Sequence, residues 1–159
     1  MVTEAAVMVG VGKLARKVAQ AKGGGDGKII ETSSAEEVNN WWKQKGYDHP
    51  PYKPGTIVKE IELTTQKKFV RVYDGNVSGK YGGWVMNAKD IKGLSPKQIQ
   101  NKYSLPQEPK YICDVDLPKG TKIRTGVASK VNDWGTGGGL QYDLKGKQVG
   151  EFTNERILK

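Results

Sequence analysis

The second half of the chain consists of short runs in which apolar and polar residues alternate, separated by Gly, Pro and Asn-Asp turns. Alternation with a period of two is typical of strands that bury one face. In the second run, Phe69, Arg71 and Tyr73 are predicted to share one face of a strand, with Val70 and Val72 on the other. The predicted strands fall within residues 56–63, 67–75, 78–86, 110–117, 121–127, 139–144 and 147–152.

Two other segments predict short helices. In residues 32–46, "TSSAEEVNNWWKQKG", a serine is the predicted N-cap, a glutamate completes a capping box and Gly46 ends the helix. In residues 95–103, Ser95 is the predicted cap, Pro96 takes the first helical position and Gln98 closes the box. The sequence therefore predicts an α+β domain in which two short helices pack on a mostly antiparallel, strand-rich sheet.

The N-terminal segment differs from the rest of the chain. Residues 1–22 have helical character, and "GGGDG" at 23–27 is typical of a flexible linker. We therefore predict a helical segment with a Gly-rich linker at 1–27 and a compact domain at 28–159. The run "AAVMVGVG" is too short to span a bilayer and follows Glu4 rather than basic residues, so no membrane segment or signal peptide is predicted.

Charge and the scarcity of Cys and His limit the chemistry. The 26 Lys and Arg residues exceed the 17 Asp and Glu residues, and a net charge of +9 favours polyanionic partners. Cys113, the one cysteine, lies in a predicted strand and is expected to be a buried structural thiol. His49, the one histidine, lies far from it in a Pro-rich turn, so no zinc site of the usual ligands and no Cys–His pair is expected. Catalysis would then depend on Arg, Tyr, Gln, Lys or carboxylates.

Four residues stand out as candidate site residues. Arg71 lies in mid-strand, where it is either an edge arginine in solvent or a buried cation that receives an anion or carboxylate. Tyr81 and Trp84 flank a Gly-Gly pair and supply either a stacking surface or core contacts. Gln141 follows three glycines, which either let a ligand approach the backbone or form a plain hairpin loop.

The order "FVRVYDG", "GKYGGW", "YSLPQEPKYICDV", "LPKGTKIRTG" and "WGTGGGLQYDL" resembles the C-terminal toxin domains of bacterial polymorphic toxins. Among these it is similar to NAD-glycohydrolase domains of the tuberculosis-necrotizing-toxin type, over about residues 55–158, with "WGTGGGLQY" as the best motif. Members commonly carry a His after the Tyr of "P-x-Y", where this chain has Ile112. The resemblance implies catalytic roles for Arg71, Tyr81 and Gln141. The positions predicted to contact the bound dinucleotide are Tyr73, Trp84, Arg124, Trp134, Gly138 and Gly139.

The resemblance also implies a mechanism. Arg71 would pair with the pyrophosphate of NAD, Tyr81 or Trp84 would stack on the nicotinamide ring, and Gln141 would orient the ligand along the glycine run. Cleavage of the nicotinamide–ribose bond passes through an oxocarbenium-like state that needs orientation and charge stabilisation more than an acid–base pair. NAD is the substrate, and no cofactor or metal is expected.

The biological setting follows from the same resemblance. The domain would be secreted or delivered within a larger toxin, as in contact-dependent growth inhibition, and would act in the cytoplasm of a competitor cell. A cognate immunity protein would neutralise it, and the charge of +9 predicts an acidic one. The sequence leaves open whether a host factor is required and how the immunity protein binds.

Other functions remain open from the sequence. The positive charge suits a toxin that cleaves RNA, above all tRNA, with Arg71, Arg124 or a lysine on the scissile phosphate. An ADP-ribosyltransferase differs in the acceptor and needs a catalytic glutamate, for which Glu151 or Glu155 is available. A non-enzymatic binding module with ordinary Gly-rich hairpins is the third class.

Overall fold

The computed structural model describes residues 27–159. The helical segment and nearly all of the linker predicted at 1–27 lie outside the described residues. Gly27, predicted as the last linker residue, is the first residue of a strand and pairs with Leu63. No helix within residues 27–159 is long and apolar enough to cross a bilayer.

The described chain has eight strands, two α-helices and one short 3-10 turn. In chain order, these are β1 (Gly27–Ser34), α1 (Ala35–Gln44), β2 (Ile57–Leu63), β3 (Lys67–Tyr73), β4 (Trp84–Val85), the 3-10 turn (Ala88–Asp90), α2 (Pro96–Tyr103), β5 (Tyr111–Leu117), β6 (Lys122–Val127), β7 (Leu140–Asp143) and β8 (Glu151–Ile157).

The strands form two antiparallel sheets. The larger has the order β1-β2-β6-β7-β4 and the smaller β3-β5-β8. Val70 of β3 exchanges two backbone hydrogen bonds with Met86, just after β4, and this bridge joins the sheets at their edges. The predicted α+β class is confirmed, with the strands divided between two sheets.

Both helices begin with the capping boxes that the sequence predicts. Ser34 accepts a hydrogen bond from the Glu37 N–H at 3.1 Å, and the Glu37 carboxylate accepts from the Ser34 N–H at 3.1 Å. Ser95 and Gln98 form the same reciprocal pair at the start of α2. Each pair satisfies N–H groups that lack a partner within the helix. α2 ends at Tyr103, and its C-cap residue, Ser104, adopts a left-handed conformation with φ of 52°.

Strand β3 is buried on both faces, and this burial determines the environment of Arg71 in the middle of the strand. Phe69 and Tyr73 belong to the main core between the sheets, whereas Val70 and Val72 pack in a second core with residues of α2. The predicted division of the strand into two faces is therefore confirmed. Cys113 lies opposite Arg71 on β5 and is fully buried, as expected for a structural thiol. A strand with two apolar faces leaves a charged side chain few routes to water.

Candidate active site

A cavity of about 590 Å³ opens where the two sheets meet. This volume lies within the range of about 300–1,000 Å³ that is typical of small-molecule sites. Its walls are largely apolar and aromatic, with a few polar side chains among them. They are formed by residues 47–51, 71–74, 77–79, 82–86 and 103–107, together with Pro109, Ser129, Val131, Trp134 and Gln141.

Arg71 lies in the wall of this cavity and is only 7% exposed. Its Nε and one terminal nitrogen donate to the Gly79 carbonyl at 3.0 and 2.9 Å, and the other terminal nitrogen donates to the Trp84 carbonyl at 3.1 Å. No carboxylate among residues 27–159 forms an ion pair with it. Burial lowers the pKa of the guanidinium from its ordinary value. Arg71 is thus a buried cation held by neutral carbonyl dipoles.

The loop after β3 is organised by one carboxylate. Asp74 accepts hydrogen bonds from the backbone N–H groups of residues 76–78 at 2.8–3.2 Å and from the Ser78 hydroxyl at 2.7 Å. Burial disfavours the charged form of this carboxyl, but the hydrogen bonds outweigh burial, and the pKa of Asp74 lies well below its usual range. The carboxylate therefore fixes the loop that presents the Gly79 carbonyl to the guanidinium.

Gly82 closes the other side of the guanidinium. A Cβ atom at this position would lie 2.3 Å from Cζ of Arg71, which is far inside van der Waals contact. The next residue, Gly83, has open space where its Cβ would be. The Gly-Gly pair therefore includes one position at which only glycine lets the backbone lie flat against the arginine.

Gln141 also lines the cavity and is 7% exposed. It lies on β7, and its Nε2 donates to the Pro51 carbonyl at 2.8 Å. The same carbonyl accepts from the Ser129 N–H at 3.0 Å. These two hydrogen bonds fix the end of the segment 47–51, so Gln141 both faces the cavity and holds one of its walls.

The segment 47–51 brings two ionisable side chains that sequence reasoning had not placed in the site. Asp48 and His49 line the same cavity as Arg71 and Gln141, and the His49 ring lies 4.6 Å from the Trp134 ring, edge to face. His49, which the sequence did not assign to a site, therefore lies in the wall of the same cavity as Arg71. The sequence feature that could have indicated these two residues is the Pro-rich turn "YDHPPYKPG", because prolines make the backbone beside Asp48 and His49 rigid.

Aromatic side chains form much of the wall. Trp84, Trp134 and Tyr73, three of the positions predicted to contact the dinucleotide, line the cavity, and the Trp84 Nε1 donates to the Tyr47 hydroxyl at 2.8 Å. The Tyr73 hydroxyl donates to the Glu155 carboxylate. Burial, together with this hydrogen bond, raises the pKa of the Tyr73 phenol above its ordinary value.

Four of the predicted site residues lie outside this cavity. Tyr81 is 61% exposed, and its ring packs edge to face on Phe152 at 5.5 Å, so it does not meet Arg71 in the cavity. Arg124 belongs to a separate buried cluster around Asp143. Gly138 and Gly139 are likewise absent from the cavity walls.

The glycine run packs against the C-terminal half of α2. The N–H groups of residues 137–139 donate to the carbonyls of Asn101, Ala128 and Lys102 at 2.9–3.0 Å. A Cβ atom on Gly139 would lie 2.7 Å from the Tyr103 ring. The close approach of this helix explains Gly139, whereas Gly137 lies against the backbone of residues 128–129 and Gly138 has open space and a φ of 99°.

Comparisons with known proteins identify the fold. No protein-family model and no curated protein matches the sequence. The solved structure of Tne2 in complex with Tni2 aligns with a TM-score of 0.54 at 15% identity, covering 67% of this chain and 97% of that one. The structure of Rhs1-CT in complex with its cognate immunity protein RhsI1 aligns with a TM-score of 0.55 at 17% identity, covering 79% of this chain and 96% of that one. The chain thus has the fold of two proteins that were each solved with a partner, in one case a cognate immunity protein.

Proposed function

We propose that this chain is the catalytic domain of an antibacterial toxin that hydrolyses NAD with release of nicotinamide. The observation that carries the proposal is Arg71, a buried guanidinium in a cavity wall that has carbonyl partners and no carboxylate partner among residues 27–159. Each terminal nitrogen has a second N–H without a hydrogen bond in that part of the chain. A phosphate group would supply both the missing charge and the acceptors.

The other walls suit the rest of a dinucleotide. Trp84 and Trp134 offer flat apolar surfaces for a base or a nicotinamide ring, and Gln141 offers an amide for a polar substituent. Breaking the nicotinamide–ribose bond develops positive charge on the ribose, and water then attacks its anomeric carbon. Asp48 and His49 line the same cavity and are the candidates to stabilise that charge and to take the proton from the attacking water.

A protein partner forms part of the proposal. Rhs1-CT, which shares this fold, was solved with a cognate immunity protein. We expect this chain to have such a protein, and the net charge of +9 favours an acidic one through electrostatic complementarity. The toxin would be delivered within a larger polypeptide and act in the cytoplasm of the target cell, where NAD is available.

The test is an incubation of the purified chain with NAD and, separately, with total cellular tRNA. Released nicotinamide with intact tRNA is the expected result, and Arg71→Ala is expected to abolish the release while the domain stays folded. Arg156→Ala, at a half-exposed arginine paired with Asp114, is the matched control and should keep wild-type activity. A fully active Arg71→Ala variant would refute the assignment of the cavity.

RNA cleavage is the second candidate, and the excess of basic residues favours it. Cut tRNA with untouched NAD in the same experiment would establish it. ADP-ribose transfer is less well supported, because Glu155 is bonded to Tyr73 and lies outside the cavity walls, as does Glu151. Appearance of ADP-ribose on a protein acceptor instead of in solution would distinguish it from hydrolysis.

A further inference from the structure

We infer that the cavity selects a dinucleotide that carries an uncharged carboxamide and rejects the matching carboxylate. The inference rests on the proposed function, since it concerns which pyridine dinucleotide is hydrolysed. Its basis is the orientation of one side-chain amide, that of Gln141. An amide is both donor and acceptor, and which of the two faces a ligand decides what the ligand must offer.

The Gln141 amide is held in one orientation. Its Nε2 donates to the Pro51 carbonyl at 2.8 Å, and the Ser129 N–H donates to the same oxygen at 3.0 Å. Turning the amide over would place Oε1 against the Pro51 carbonyl oxygen, so that two acceptors would face each other and the hydrogen bond would be lost. One of the two N–H groups of Nε2 is thus committed to the protein, and this bond fixes Oε1 at the other side of the amide.

The acceptor end is left for a ligand. Among residues 27–159, no donor forms a hydrogen bond with Gln141 Oε1, although the residue is only 7% exposed and lines the cavity. Oε1 is not among the fully buried polar atoms that lack a partner, so it stays accessible from the cavity and a ligand N–H can reach it. The primary amide of nicotinamide supplies such an N–H, whereas the carboxylate of nicotinic acid supplies only further acceptors.

The spacing to Arg71 agrees with a ligand of nucleotide length. β4 lies beside β7, and the residue after β4 bridges to Val70 of β3, so the backbones at Gln141 and Arg71 lie about two strand spacings apart, roughly 10 Å. The cavity therefore presents a fixed acceptor at one place and a cation with free N–H groups at another. An anion joined to a donor-bearing aromatic ring matches that pattern.

The experiment compares the hydrolysis of NAD and of nicotinic acid adenine dinucleotide by the full chain. We expect kcat/KM for the acid form to be lower by at least about 100-fold, because a site that hydrogen-bonds a substrate N–H strongly rejects an analogue without it. The two pyridine leaving groups also differ in intrinsic reactivity. For each protein we therefore take the ratio of kcat/KM for NAD to kcat/KM for the acid form. The test compares this ratio between wild type and Gln141→Met.

Gln141→Met keeps the length of the side chain and removes both amide atoms. The Pro51 carbonyl keeps its hydrogen bond from Ser129 in the variant. We expect the variant to lose most of its NAD hydrolysis and little of its hydrolysis of the acid form, so that the ratio collapses. An unchanged ratio would overturn the inference.

A second measurement on the wild-type protein needs no variant. Free nicotinamide is expected to inhibit NAD hydrolysis competitively, and free nicotinate at the same concentration is not. Equal inhibition, or equal hydrolysis of the two dinucleotides, would overturn the inference and leave the proposed hydrolase intact. If neither dinucleotide is cleaved, the proposed function fails and the inference fails with it.

Discussion

Two buried arginines of this fold, Arg71 and Arg124, have very different partners within the protein. Each is on a strand, and each is 7% exposed. Arg124 places Nε and a terminal nitrogen 3.0 Å from Asp143 Oδ1, and its guanidinium lies over the Trp41 ring at 4.3 Å. Arg71 donates to the Gly79 and Trp84 carbonyls, lies 6.0 Å from the centre of the Tyr73 ring and has no carboxylate partner among residues 27–159.

The difference in partners indicates the role of each buried charge. Burial of a cation is costly unless an anion and hydrogen bonds compensate it. Asp143 does so for Arg124 and also accepts from the Tyr52 hydroxyl at 2.5 Å, so the charge of Arg124 is paired within the folded chain. The compensation of Arg71 is incomplete within residues 27–159, and the missing anion is the one that we assign to the substrate.

The largest expected effect is on stability at Arg124. Arg124→Met leaves Asp143, which is 0% exposed, as a buried carboxylate without its cation, and such a loss costs about 3–5 kcal/mol in the free energy of unfolding. Arg71→Met is the matched exchange at the other buried arginine and is expected to cost less than about 1 kcal/mol, since it leaves no carboxylate behind. Urea denaturation of both variants at pH 7 tests the contrast, and equal losses would refute it.

For activity, in contrast to stability, the larger effect is expected at Arg71. Arg71→Lys keeps the charge but cannot donate to Gly79 and Trp84 while presenting a planar fork, so kcat/KM for NAD should fall by at least about 100-fold. Nicotinamide release measures this. Arg156→Lys is the control, and its activity should match wild type. If Arg71→Lys retained its activity, a positive charge at this position would suffice for NAD hydrolysis, and the planar fork of the guanidinium would not be needed.

A smaller effect is expected at the glycine that covers Arg71. Gly82→Ala introduces a methyl group at 2.3 Å from the guanidinium, and relief of that overlap should cost about 1–3 kcal/mol, as overpacking does in cores. Activity should fall along with stability, because the guanidinium must move. Gly83→Ala, where the added Cβ meets nothing within 4 Å, should leave the free energy of unfolding nearly unchanged. Equal unfolding curves for the two variants would contradict the observed packing.

The smallest expected effect depends on pH. The pKa of Asp74 in the folded chain is below its unfolded value of about 3.9, so its contribution to stability is complete above that value and is lost as pH falls toward the folded pKa. Asp74→Asn should therefore lower the free energy of unfolding at pH 7 by about 1–2 kcal/mol through weakened hydrogen bonds, and by less at pH 3.

Unfolding of Asp74→Asn at both pH values, beside Asp133→Asn at an exposed loop aspartate, is the measurement. We expect the Asp133 variant to resemble wild type at both values. A loss in Asp74→Asn that is the same at pH 3 and pH 7 would show that the carboxylate does not organise the loop.

Local features of the fold could be predicted from the sequence, because their causes lie within a few residues. The capping boxes at Ser34 and Ser95 and the two faces of β3 follow from short-range patterns, and the structure confirms them. For two strands the prediction from the sequence differs from the structure. β1 was not predicted, because a bulge between Ile29 and Glu31 interrupts its alternation. The last strand was predicted at 147–152 but spans Glu151–Ile157, where exposed side chains give little hydrophobic pattern.

The sequence by itself determined the α+β class, the helix starts and the importance of Arg71 and Gln141 as candidates, since residue type and local period carry that information. Only the tertiary structure decided that Asp48 and His49 join them in one cavity, and that Tyr81 and Arg124 do not. It also decided that the glycine run packs on α2. The physical reason is that strand register and the bridge between Val70 and Met86 bring together segments far apart in the chain, and no local pattern encodes that pairing.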